Sequence, residues 1–111
     1  STHVTIGLKR PTGIVLDGSQ HLFIVDSGNN RIIGSDENGF RCIFGCSGES
    51  GSTNDKLSSP QTMSFDNYGN IYVTDTQNQR IQKIIKNNIC GKKFYLITFK
   101  EQTELIFSCI Q

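Results

Sequence analysis

The sequence predicts an all-β chain, a partial β-propeller of two four-stranded antiparallel blades, the second incomplete or divergent. Three observations lead there. The chain matches itself at an offset of 49 residues without a gap, each copy breaks into short apolar runs between turn residues, and the second run of each copy is apolar on both faces. A fixed period marks a repeated supersecondary unit. Short runs between turns read as a meander of strands, and a strand without alternation is covered on both sides. Four-stranded units packed face to face around an axis meet all three conditions. A two-sheet sandwich is the main alternative.

The leading segment, residues 1–7, precedes the repeat. The first unit with its Gly-rich linker covers 8–52 and the second covers 53–89. Leu8 and Leu57, Pro11 and Pro60, Asp17 and Asp66, Asp26 and Asp75, Asn29 and Asn78, Arg31 and Arg80, Ile32 and Ile81, and Asn38 and Asn87 are identical at the offset. In the first unit the expected strands are Gly13–Leu16, Leu22–Asp26, Arg31–Ser35 and Arg41–Phe44. In the second they are Gln61–Phe65, Ile71–Asp75 and Arg80–Ile85. Leu22-Phe23-Ile24-Val25 and Ile71-Tyr72-Val73 are the runs that lack alternation. Asp66-Asn67-Tyr68-Gly69 places a side-chain acceptor at a turn's start and Gly where φ becomes positive; Asp17-Gly18-Ser19-Gln20 does so less neatly. Beyond Ile85 the pattern stops: one period past Gly45, Gly48, Gly51 and Pro60 stand Phe94, Ile97, Lys100 and Cys109. The tail, 90–111, is therefore set apart as a divergent outer strand, an exposed edge or sequence foreign to the propeller.

With 111 residues, 35% apolar side chains and 11 glycines, the chain has room for one globular domain. Its net charge of +1 gives no general attraction to nucleic acid or anionic membrane. No apolar run approaches the roughly 18 residues of a spanning helix, and Ser1 to Thr5 lacks the apolar core of a secretory signal. The chain is expected to be soluble. It starts at Ser1 and its single Met is Met63, so it reads as a piece of a longer protein.

Pro11-Thr12-Gly13-Ile14, Asp17, Leu22 to Asp26, Asn29, Arg31 and Ile32, matched by Pro60, Asp66, Gly69 to Asp75, Asn78, Arg80 and Ile81, resemble the NHL repeat. Gly45, Gly48, Gly51, Leu57 and Pro60 resemble the stretch between two such blades. Gln20 and Thr62 depart from the pattern where their counterparts are Gly69 and Gly13. Asn30 and Gln79 replace the family's frequent His before the Arg. The resemblance implies a propeller, usually of six blades, whose end loops bind protein or RNA. Further blades are then expected from the parent chain or from another copy. The turns Ser27–Asn30 and Thr76–Gln79 are the repeated connections offered for such contacts. Two further settings are implied: the recognition part of a tripartite-motif type ubiquitin ligase, or a piece of an enzyme such as a peptidyl-amidoglycolate lyase.

Asp26, Asn29 and Arg31, repeated as Asp75, Asn78 and Arg80, are read as a structural motif rather than a catalytic one, because catalytic residues seldom recur in successive repeats. Each Asp ends a strand and can accept backbone N–H groups, and each Arg opens the next. Cys42 and Cys46 are read as small buried thiols, with a disulfide as the alternative. With distant Cys90 and Cys109, and with His3 and His21 far away, they lack the spacing of a zinc site. No metal or cofactor is expected, and no phosphate loop or nucleophile elbow is present. Lys83, Lys86, Lys92 and Lys93 fall in an acid-free stretch with Phe94, Tyr95 and Phe99. That stretch suits either a lysine-protected edge or contacts to single-stranded nucleic acid. The expected function is a non-catalytic scaffold within a larger NHL-repeat protein, binding protein or RNA.

Overall fold

The apolar runs are separated where Asp, Asn and Gly offer the backbone a tight turn, and strands form between these breaks. The computed structural model describes residues 6–89 and 92–98. The first sheet consists of β1 (Pro11–Leu16), β2 (Leu22–Asp26), β3 (Arg31–Asp36) and β4 (Gly39–Phe44). The second consists of β5 (Pro60–Phe65), β6 (Ile71–Asp75), β7 (Arg80–Ile89) and β8 (Lys92–Thr98). Each sheet is an antiparallel meander with its strands side by side in chain order. A single 3-10 turn, Ser27–Asn29 or Thr76–Asn78, joins the second strand to the third. Among the described residues no α-helix occurs, and no helix is long and apolar enough to cross a membrane.

The repeat extends to the backbone angles. Arg10 and Ser59 share φ of 49°, and Asn30 and Gln79 share 54°. Gln20 at 69° stands where the second unit has Gly69 at 84°. The opening strands of the two sheets also share a bulge after their first Pro, which begins the strand and needs no donor there.

Of the two expectations for the second unit, incomplete or divergent, it is divergent. β8 pairs with β7 from Lys83↔Thr98 to Ile89↔Lys92, so its fourth strand lies within the segment set apart as the tail. In the first sheet the outer hairpin turns between Asp36 and Gly39, where Asn38-Gly39 supplies a residue with φ of 114°. One period later stands Asn87-Asn88, without Gly. The ladder runs through those positions, making β7 ten residues long against six in β3. Residues 99–111 lie outside the described part.

The two sheets pack against each other. Phe23, Val25, Ile32 and Phe44 of the first and Met63, Ile71, Val73 and Ile84 of the second form one core with Leu57 of the linker. Phe23 meets Phe65 edge to face, with ring centroids 4.9 Å apart. Each fully buried side chain of this size contributes about 1.5–3 kcal/mol. By strand alternation Leu22 and Ile24 point away from this joint, beside Leu16 and Ile14. Ile14 and Leu16 are 66% and 53% exposed, so this face stands open along β1, while Leu22 and Ile24 are half-buried and Ile33 beside Ile24 is buried. Two sheets do not close a ring.

Candidate functional site

The repeated Asp, Asn and Arg form one clasp per sheet. The 3-10 turn returns the chain so that Arg31 lies opposite Asp26 and Arg80 opposite Asp75 in the strand register. This register explains the five-residue spacing. Asp26 is fully buried, and its carboxylate accepts hydrogen bonds from Lys9 N (2.7 Å), Asn29 Nδ2 (2.9 Å) and Arg31 Nε (2.8 Å). Asp75, equally buried, accepts them from Ser58 N (2.6 Å), Asn78 Nδ2 (2.8 Å) and Arg80 Nε (2.7 Å). Burial alone would raise the Asp26 pKa. The Lys9 amide, Asn29, Arg31 hydrogen bonding and the Arg31 charge together outweigh it and hold the group below its ordinary 3.8.

Each Arg also ties down the segment that leads into its sheet. Arg31 Nη2 donates to Gly7 O at 2.8 Å. Arg80 reaches Ser52 O (2.8 Å), Thr53 O (2.9 Å) and Lys56 O (3.1 Å). These leading straps were invisible in the sequence pattern because their contribution is backbone N–H and C=O, which every residue carries. The turns proposed as contact loops are tied down as well. Gly28 N donates to Lys9 O, and Gln77 N to Ser58 O. Asn30 crosses to the linker, donating to Gly48 O and accepting from Ser59 N.

At the opposite end of the hairpins the two equivalent turns flank a groove of about 380 Å³. Asp17, Gly18 and Ser19 form one side, Asp66 to Gly69 the other, with Phe65 and Lys86 completing it. Asp17 Oδ1 accepts from Ser19 N and His21 N, each at 2.8 Å, while Oδ2 faces His21 Nδ1 at 3.4 Å. Asp66 Oδ1 accepts from Tyr68 N and Asn70 N at 2.9 Å, and its Oδ2 from Asn70 Nδ2 (2.9 Å) and Tyr72 OH (3.3 Å). For both carboxylates desolvation acts upward, but the local donors outweigh it and lower the pKa. Anionic oxygens engaged in this way shape the turns. Tyr68 at the tip is 84% exposed.

Lys83 and Lys86 diverge on β7. The Lys83 ammonium stands 5.6 Å from the centre of the Tyr72 ring, whereas Lys86 lines the groove. Lys92 and Lys93 lie on β8 opposite Ile89 and Asn88, and their side chains fall outside the described part. Cys42 and Cys46 are not free thiols: they form a disulfide with Cα atoms 5.7 Å apart. Gly45, at φ of 74°, reverses the chain after Phe44 and brings the two together. Cys90 and Cys109 lie outside the described part.

Fold and clasp together define a β-repeat protein built from strapped four-stranded units. Residues 8–34 match the family described as NHL repeat. The same strands and clasp recur one period later, over 57–83. No curated protein matches the chain.

Proposed function

We propose that the chain is a non-catalytic binding scaffold, two blades of an NHL-type propeller within a larger NHL-repeat protein, and that the groove between the Asp17 and Asp66 turns receives a protein segment. One observation carries it. The charged residues of the repeat are engaged in holding strands and straps, whereas an exposed aromatic ring and a lysine border a groove made by the same turn twice. NHL repeats are generally protein-interaction modules, and a Tyr ring supplies large contact area at low entropic cost. Any reaction belongs, on this reading, to other parts of the larger protein.

The test is selection of peptides from a random display library on the immobilised chain. Selected peptides should lose binding on Tyr68→Ser and on Lys86→Glu. Peptides indifferent to both variants would refute the groove. Binding of a single-stranded oligonucleotide with a steep salt slope would replace protein by RNA as partner.

A further inference from the structure

We propose that copies of this chain associate head to tail. The outward face of the first sheet in one copy (Ile14, Leu16, Leu22, Ile24) seats on the outward face of the second sheet in the next (Tyr72, Thr74, Ile81). The template is the joint already inside the molecule. There, Phe23, Val25 and Ile32 of the first sheet meet Met63, Phe65, Ile71 and Val73 of the second. One period along, the first set becomes Tyr72, Thr74 and Ile81. One period back, the second becomes Ile14, Leu16, Leu22 and Ile24. At these positions the chain carries counterparts of both halves of its internal joint on its two outer faces, while Phe44 and Ile84 of the core have Lys93 and Ser35 one period away.

Among the described residues both outer faces carry exposed apolar side chains, although Ile33, beside Ile24 on the first, is buried. Ile14, Leu16 and Ile81 are 66%, 53% and 61% exposed, whereas Met63 and Ile32, counterparts of Ile14 and Ile81, are 7% and 0% exposed. Ile14, Leu16 and Leu22 border an apolar hollow of about 350 Å³. Leu16 would meet Tyr72 of the neighbour as Phe65 meets Phe23.

The second sheet's outer face is more polar than its counterpart, yet the hydroxyls of Thr74 and Tyr72 on it are already bonded. Thr74 Oγ1 accepts from Thr62 N (2.8 Å), lies 3.2 Å from Thr62 Oγ1 and donates to Thr62 O. The Tyr72 hydroxyl is held by Asp66. These groups can be covered without leaving an unsatisfied donor or acceptor, which removes the usual cost of burying them. Lys83 shares this face, and a lysine stem can cover apolar surface while its ammonium stays in water.

The polar links of the internal joint also have counterparts. Thr12 Oγ1 donates across the joint to Gln61 O at 2.8 Å. The residue one period after Thr12 is Gln61, whose carboxamide can donate to the backbone at Thr12 of the neighbour. Asn30 Oδ1 accepts from Ser59 N across the joint. One period on, Gln79 provides the same acceptor toward the amide of Arg10 in the neighbour. Because the two faces differ, the contact does not cap itself, and copies add until a ring closes or an open series forms.

The inference rests on reading the sheets as stacked blades. Its test reads mass while the groove test reads peptide binding, so either can fail alone. Sedimentation of the full chain from about 1 µM to about 1 mM, the span that reveals micromolar contacts, should show mass rising above 12.4 kDa. Leu16→Asp and Ile81→Asp, at exposed positions, should each weaken association by at least about tenfold and sediment as monomers. Mixed together they should form a one-to-one dimer, because each retains the face the other has lost. Circular dichroism checks the strands, and Ile14→Asp replaces Leu16→Asp if that variant unfolds. A monomer throughout, a variant that still pairs with itself, or a mixture that stays monomeric would overturn the proposal. The monomer would mean that other sheets or another protein cover these faces.

Discussion

Replacing Asp26 by Ala removes the one acceptor shared by the Lys9 amide, the Asn29 carboxamide and the Arg31 guanidinium. Asp26 has no exposure, and the Arg31 side chain is 22% exposed, so water reaches the vacated donors poorly. Breaking one side of a buried, hydrogen-bonded ion pair costs about 3–5 kcal/mol. That is a large part of the roughly 5–15 kcal/mol by which a domain is stable. With a urea dependence of about 1.5 kcal/mol per molar, the midpoint should fall by roughly 2–3 M. Arg31→Ala should fall similarly, since a buried carboxylate is left with two neutral donors. The double variant should lose clearly less than the sum, because neither charge is then stranded. The assay is urea unfolding followed by far-UV circular dichroism. If Asp26→Ala shifts the midpoint by under about 0.5 M, or if the two losses simply add, the clasp does not hold the first sheet as argued.

Acid should weaken the same clasp. Asp26 is held below its ordinary 3.8, so its contribution is complete well above that pH, declines as pH falls past it and is lost below the folded-state value. Urea midpoints between pH 7 and pH 2 should show an acid limb that flattens in Asp26→Asn. At Gly28 an added Cβ would collide with the Lys9 backbone, whereas at Gly18 it meets nothing within 4 Å. Gly28→Ala should therefore cost about 1–3 kcal/mol and Gly18→Ala less than about 0.5 kcal/mol, both read from the same unfolding curves. Reduction of Cys42–Cys46, which closes a loop only four residues apart in sequence, should cost about 2 kcal/mol by loop entropy, seen as a lower midpoint with reductant.

Much of the fold was legible because it is written twice. Seven strands were placed, two of them with both ends matched and the others within two residues at the start and four at the end, since apolar runs and Asp-Gly or Asp-Asn breaks act locally. The eighth was not placed. Its partner β7 continues past the position where Gly39 turns the first sheet, and pairing with a long neighbour leaves no periodic signal of its own. The disulfide was misjudged because C-x3-C spacing says nothing of the reversal at Gly45. The turns offered for binding are locked to the straps by backbone bonds. The groove arises from two turns 49 residues apart in sequence, and their proximity depends on how the sheets stack.

Sequence by itself determined the repeat, the all-β class, the resemblance to NHL repeats and the place of each Asp, Asn and Arg, because these depend on local spacing and residue chemistry. Tertiary structure decided which carboxylates are buried, which backbone atoms they hold, where the groove lies and which faces stand open. Those outcomes depend on sheet-against-sheet packing, where side chains far apart in the chain either exclude water together or leave it in contact.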